Sequence, residues 1–150
     1  MRPPGSPPQK LQNPRYYVER LAEYYDKLAD VYDELYGQEQ TVKYLKALAY
    51  VSGSRIVDVG CGTGIGVGLL SPRYVLCVDI SLGMLRKAAA RGLDVDLLAA
   101  DAYLLPLRRR SFDTALAITV FERLEDSRVL ADFAEVVVAE TLGRWLVSRG

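Results

Sequence analysis

Asp58, Gly60, Gly62 and Gly64 set an acid and three alternating glycines at the end of an apolar segment, in the run Arg-Ile-Val-Asp-Val-Gly-Cys-Gly-Thr-Gly over residues 55–64. Ile56, Val57 and Val59 read as a strand buried on both faces, the kind found in the middle of a parallel sheet. The glycines remove side chains where the backbone turns tightly and approaches a ligand. A helix is expected to follow, with its N-terminal amides aimed at the same point. Two further acids occupy similar places. Residues 74–80 form a second apolar strand carrying Asp79, nineteen residues after Gly60, where a carboxylate can accept hydrogen bonds from two ribose hydroxyls at once. Residues 95–100 form a third strand that delivers Asp101 and then Ala102. A glycine turn and two strand-end acids at one edge of one sheet make a nucleoside site.

The spacing argues against a dinucleotide. The Rossmann fingerprint requires a glycine three residues after its second one, and that place holds Ile65 or Val67, depending on which glycine pair starts the count. The run Asp58, Gly60, Cys61, Gly62, Gly64 resembles the first motif of the class I methyltransferases that use S-adenosylmethionine. Asp79, Ile80 and Ser81, followed by Met84 and Leu85, are similar to that family's Asp-Ile-Ser-x-x-Met-Leu stretch, with Leu82 where proline often stands. Ser81 is expected to cap the next helix. The resemblance implies that Asp101 meets the adenine amino group and that the Ala102 amide meets a ring nitrogen. It also implies that the strand over 112–120, which contains Thr119, passes beneath the transferable methyl. Where relatives commonly carry His-His-Leu-Pro-Asp, this chain reads Glu122, Arg123, Leu124, Glu125, Asp126, so no histidine role carries over. The resemblance extends over residues 25–126.

These residues need elements to position them. Residues 15–36 read as a helix with Leu21, Tyr25, Leu28, Tyr32 and Leu35 on one apolar stripe, ended by Gly37. Within it, Tyr25, Asp26, Ala29, Tyr32 and Asp33 resemble a segment that covers the cofactor in many small-molecule methyltransferases. The plainer reading, a tyrosine-rich helix packed on the sheet, is compatible with it. A second helix over 41–50 is expected to send Val42, Leu45 and Leu48 into the core. After Asp126 a helix is expected over 127–141, and then, past Gly143, a fifth strand over 144–148. The expected fold class is α/β: a doubly wound parallel sheet of the Rossmann-like methyltransferase type, strand order 3-2-1-4-5. It lacks the family's usual last two strands and carries an N-terminal helical cap. Residues 1–14 read as a disordered proline-rich arm, 15–50 as the cap and 51–150 as the S-adenosylmethionine-binding core.

Composition narrows the function. The chain has 150 residues, formal net charge zero and no histidine, which excludes histidine triads, histidine metal sites and the usual general base. Basic residues are scattered apart from Arg108, Arg109 and Arg110, which read as a solvated loop, so nucleic acid is not the expected partner. No apolar run is long enough for a membrane span, and the two cysteines read as free buried thiols of a reducing, cytoplasmic compartment. The expected activity is methyl transfer from S-adenosylmethionine to a small-molecule acceptor, with Asp33, Glu122 or a cap tyrosine as candidates for any proton removal. The alternative is a truncated or degenerate module that binds the nucleoside without turnover and acts with a protein partner. An apolar edge strand carrying Trp145, Leu146 and Val147 is expected to pair with a second copy or another protein.

Overall fold

The computed structural model describes residues 14–150; the expected arm over 1–14 lies outside the described residues except for Pro14. Helices α1 (Pro14–Leu28) and α2 (Tyr32–Ala47) precede the sheet. Then follow β1 (Arg55–Val59), β2 (Tyr74–Asp79), α3 (Leu82–Ala90), β3 (Asp96–Ala99), β4 (Phe112–Ile118), β5 (Ala134–Thr141) and β6 (Arg144–Arg149). The strands form one six-stranded sheet in the order β3-β2-β1-β4-β5-β6, parallel from β1 to β5, with β6 antiparallel to β5.

Strand periodicity divides the core into two layers. Ile56, Cys77, Leu116 and Val138 point to the face covered by Tyr44, Ala47, Leu85 and Ala88 from α2 and α3. Val57, Val59, Ala115, Ala117 and Val137 point to the other, where Phe121, Leu124 and Leu130 pack. No α-helix covers that second face; its cover is a 3-10 helix, Leu124–Asp132, and loops. The buried residues Leu124, Ser127 and Leu130 fall three apart, and a 3-10 helix puts such positions on one side. At the other end of the sheet Asp113 accepts the N–H groups of Ser54 and Arg55, which fixes the entry of β1 beside β4.

The strand order 3-2-1-4-5 is as expected, and several elements differ. The segment over 127–141 is not a helix: the 3-10 turns end at Asp132 and β5 begins at Ala134. Val136, Val137 and Val138 are β-branched and buried from both sides between β4 and β6, so the strand lacks the alternation that marks a half-buried one. The strand beginning at Arg144 is therefore the sixth, and the sheet holds one strand more than expected. Leu142 and Gly143, with φ of 53° and 79°, form the two-residue turn between β5 and β6. Positive φ at both central positions gives the hairpin a twist that matches its strands. The outermost strand, β6, leaves Trp145 and Leu146 partly buried and Val147 exposed.

The cap also departs from expectation. The break falls over residues 29–31, and Gly37 lies buried inside α2, where a Cβ would stand 3.1 Å from Ile65 Cδ1. Val42 and Leu45 face outward, 52% and 53% exposed, while Gln40, Tyr44 and Ala47 are buried. The inward face of α2 is polar because it meets polar groups at the carboxyl ends of the strands. The segment that directly follows the glycine turn is not an α-helix but the 3-10 segment Val67–Leu70, so the expected helix is missing there. The cysteines are not free. Gly60 and Cys61 both donate their N–H to Val78 O, which folds the turn back over β2 and brings Cys61 to Cys77 in a disulfide. The thiols therefore give no argument for a reducing compartment. No helix among the described residues is long and apolar enough to cross a membrane.

The exposure pattern yields a stability contrast. Leu116→Ala, at a side chain 0% exposed in β4, is expected to cost ~2–5 kcal/mol. Val42→Ala, on the outward face of α2, is expected to stay within about 0.5 kcal/mol of wild type. Urea unfolding of both variants checks this, and equal losses would contradict the orientation of α2.

Candidate functional site

A cavity of about 620 Å³ opens at the carboxyl ends of the parallel strands, beneath α1 and α2. Its floor comes from strand ends: Gly60 and Gly62 after β1, Asp79 and Ile80 at β2, and Asp101, Ala102 and Tyr103 after β3. Residues 118–122 close one side, Thr141 and Leu142 lie at the rim, Met84 comes from α3, and Tyr17, Leu21, Tyr25 and Tyr32 form the roof. Strand ends at the point where the order reverses are where open α/β sheets hold ligands.

Each element is held by specific polar contacts. Asp79 Oδ2 accepts the N–H of Gly62 and Oδ1 that of Ser81, both at 2.9 Å. Burial pushes its carboxyl up, and these N–H groups oppose that. Asp79 thus has protein partners already, besides any ribose hydroxyls it could accept from. A carboxylate has about four acceptor directions, and the backbone N–H groups of Ser81, Gly62 and Ile80 leave part of that capacity open. Ser81 caps α3 by accepting Met84 N–H at 3.0 Å. Its hydroxyl donates to Asp26 Oδ1 at 2.5 Å, and that oxygen also takes Gly83 N–H at 2.8 Å. A Cβ on Gly83 would stand 3.0 Å from Asp26 Cα, so glycine lets α1 lie this close.

Asp33 clamps the other end of the cap. It takes the Thr63 hydroxyl at 2.5 Å and a guanidinium N–H of Arg91. That use removes it from the candidates for proton acceptor. Tyr25 and Tyr32 meet the cavity with phenols raised by burial, Tyr25 to about 12 and Tyr32 further, so both stay neutral hydrogen-bond donors at neutral pH. Tyr17, missed in the sequence, is raised by burial and then by the nearby charges of Glu122 and Asp101. Asp101 Oδ1 accepts the N–H of Tyr103 at 2.9 Å, which orients its carboxylate at the β3 end.

Three of the expected site residues lie behind the wall. Asp58 is fully buried and receives the Tyr44 hydroxyl at 3.0 and 2.9 Å on its two oxygens. Cys61 is in the disulfide, and Gly64 (φ 78°) lets the turn pack on α3, where a Cβ would meet Ala88 Cβ at 3.2 Å. Thr119 does line the cavity, but its hydroxyl donates to Glu140 at 2.6 Å and accepts from Lys43 at 3.0 Å. The sequence reading also passed over Gln40, Lys43, Tyr44 and Glu140. The legible signal was an acid, Glu140, set against the apolar run Val136 to Ala139.

Asp58 carries a pH dependence. Burial, opposed by the Tyr44 hydroxyl, raises its carboxyl to about 7, against about 3.9 in an unfolded chain. The folded state therefore holds the proton more tightly. The stability this gives is complete below about pH 4 and is lost as pH rises through about 7. Asp58→Asn is expected to flatten this part of the decline in melting temperature between pH 4 and 7; a slope identical to wild type would contradict it.

Among the described residues the wall carries charges of one sign: Asp79, Asp101 and Glu122 line the cavity, and no described lysine or arginine does. Comparison with known proteins agrees with such a site. The family model described as "Methyltransferase domain" matches residues 56–140, from β1 to the penultimate residue of β5. Malonyl-[acyl-carrier protein] O-methyltransferase of Geobacter sulfurreducens is 34% identical over 113 residues, covering 63% of this chain and 42% of that protein. Demethylmenaquinone methyltransferase of Renibacterium salmoninarum is 36% identical over 100 residues, covering 60% and 39%. The chain thus matches about two fifths of the length of these curated relatives. Magnesium protoporphyrin IX methyltransferase of Synechocystis PCC 6803, solved with bound SAH, superposes with a TM-score of 0.63 at 18% identity, over 81% of this chain and 70% of that one, and so shares the fold. With more than half its residues inside the family match and the glycine turn, the strand-end acids and the strand order all in place, the chain belongs to the methyltransferase domain family, in the class I group that uses S-adenosylmethionine.

Proposed function

We propose that the cavity binds S-adenosylmethionine and that the protein transfers its methyl group to a small-molecule acceptor. The observation that carries this reading is the sign of the wall: three carboxylates and, among the described residues, no cationic side chain. A sulfonium nucleoside is attracted to such a wall. A dinucleotide pyrophosphate would find no cationic side chain on this wall among the described residues, and the glycine turn leads directly into a short 3-10 segment and not an α-helix. The residues fit the nucleoside chemically. Asp79 keeps acceptor capacity for a ribose hydroxyl, and Asp101 with the Ala102 amide offers an acceptor and a donor for an adenine edge. Gly60 and Gly62 expose backbone to the ligand.

The bound group supplies an already electrophilic methyl carbon. The chain's own task is to hold the acceptor in line and exclude water, which requires little acid–base machinery. The roof tyrosines serve that task as neutral donors with large apolar faces. Tyr17, Leu21, Tyr103, Phe121 and Leu142 form the acceptor side in this reading, with Glu122 the carboxylate placed there to take a proton where the acceptor must lose one. A polyanionic acceptor finds no cationic partner on this wall, which favours a small neutral or cationic one.

Calorimetry with S-adenosylmethionine, S-adenosylhomocysteine and NAD tests the cofactor. The first two are expected to bind and NAD is not; preference for NAD would sink the reading. Asp79→Ala is expected to weaken S-adenosylhomocysteine binding about tenfold or more, since charge-assisted hydrogen bonds of ~1.5–3 kcal/mol are lost and the Gly62 and Ser81 amides lose their anchor. Radiolabel transfer from methyl-labelled S-adenosylmethionine into a small-molecule pool tests turnover. Binding with no transfer to any acceptor would instead favour a non-catalytic module.

A further inference from the structure

At the carboxyl ends of β4 and β5 an ion pair between a buried carboxylate and a partly exposed lysine sits behind the cavity wall. Glu140 is fully buried, and its Oε2 meets Lys43 Nζ at 3.1 Å. The same oxygen accepts the N–H of Gly143 at 2.8 Å, and Oε1 accepts the Thr119 hydroxyl at 2.6 Å. The Glu140 carbonyl takes the N–H of Thr119 at 2.8 Å. Lys43 and Gln40 donate to Thr119 Oγ1 at 3.0 and 3.4 Å, which leaves that hydroxyl fully used. Glu39 lies 3.2 Å from Lys43 on the outer side.

What this cluster holds is unusual. Thr119 has φ of 58°, and a β-branched residue in the left-handed region is an outlier that persists only where its surroundings determine it. The reversal at Thr119 sends Val120, Phe121 and Glu122 along the cavity. It also presses Val120 onto the glycine turn, because a Cβ on Gly60 would lie 2.2 Å from Val120 Cγ2. Through Gly143 the same carboxylate ties down the hairpin turn whose Leu142 forms the rim, also at positive φ. A salt bridge that only fastened α2 to the sheet would have no need to hold both strained turns.

We propose that Glu140, charge-paired with Lys43, is a positioning residue for the cofactor wall, acting through the backbone of Thr119 on residues 119–122 and through Gly143 on the rim. The proposal rests on the S-adenosylmethionine reading above. Glu140 pairs with the partly exposed Lys43 and spends each oxygen on a turn, so its loss frees both turns at once. Glycine adopts positive φ without cost, so Thr119→Gly would make the clamp dispensable for the turn itself.

The test uses the full chain and S-adenosylhomocysteine as the probe. Glu140→Gln and Lys43→Met are each expected to weaken binding about tenfold and to speed amide hydrogen exchange over residues 119–122 and 142–143 in the free protein. Val75→Ala, at a buried site near the amino end of β2, supplies a control that lowers melting temperature while leaving affinity within twofold. Adding Thr119→Gly to Glu140→Gln is expected to recover most of the lost affinity, a rescue that a merely structural ion pair would not show. Should Glu140→Gln fail to fold, Lys43→Met carries the comparison. Wild-type affinity in both variants, or a Val75→Ala loss that scales with its melting temperature, would overturn the positioning role. No rescue by glycine would overturn its action through Thr119. A wild-type protein that does not bind S-adenosylhomocysteine would overturn the cofactor reading, and this inference with it.

Discussion

The carboxylate of Asp79 accepts the N–H of Gly62 on one oxygen and that of Ser81 on the other, and the rest of the site depends on this pair of bonds. One joins the end of β2 to the turn after β1; the other joins it to the cap of α3. Burying a carboxylate is costly, and backbone donors offset that cost without adding a second charge. Because both donors are main-chain groups, a rigid acid is set beside a bare backbone, with acceptor capacity left over. The roof then docks on the two elements that Asp79 connects. Asp26 reaches Ser81 and Gly83 at the head of α3, while Asp33 reaches Thr63 in the turn and Arg91 after α3. Cap and floor are thus referenced to one carboxylate.

A different economy operates where β4 and β5 end. There the wall is irregular backbone, held in left-handed conformations at Thr119 and Leu142 that neither residue type prefers. Such turns are cheap to make with glycine, as the loop over 60–64 shows with positive φ at all three of its glycines. Using side chains instead puts apolar surface on the cavity, Leu142 at the rim and Val120 against Gly60. In the polar cluster that sustains these conformations, Glu140 and Gln40 are buried, while Thr119 faces the cavity. The cluster's hydrogen bonds are complete, and no buried side-chain nitrogen or oxygen among the described residues lacks a partner.

What could be read from the sequence followed from locality. The glycine turn, Asp79, Ser81 with Met84, and Asp101 with Ala102 each act within a few residues of chain, so their spacing carries their roles. The strand β5 could not be read the same way. Its valines are covered by neighbours on both sides, so periodicity could not separate it from a buried helix, and three β-branched residues in a row were the arbitrating signal. The face of α2 was misread for a related reason. An apolar stripe was sought through Val42 and Leu45, whereas the helix turns Gln40 and Tyr44 inward because Thr119 and Asp58 wait there across 79 and 14 residues of chain. Asp58 was placed with the ligand on motif alone; its partner, Tyr44, is set by packing that no local pattern announces. The disulfide escaped notice because two cysteines sixteen residues apart meet only once the turn folds back over β2.

The division of the cavity follows the same line. Residues 56–140 contain the glycine turn and all three wall carboxylates, so the family match takes in the side of the cavity assigned to the cofactor. Tyr17, Leu21, Tyr25 and Tyr32 precede the match, and Thr141 and Leu142 follow it. Relatives named for acting on an acyl-carrier protein and on a quinone both resemble the chain through this shared segment, which therefore discriminates poorly between acceptors. On the proposed reading, discrimination falls to the roof and rim side chains outside the match together with Tyr103, Phe121 and Glu122 inside it. The two sides of the proposed site are not independent, because Asp101 on the nucleoside side accepts the N–H of Tyr103 on the acceptor side, so a change of acceptor that shifted Tyr103 would also move the acid.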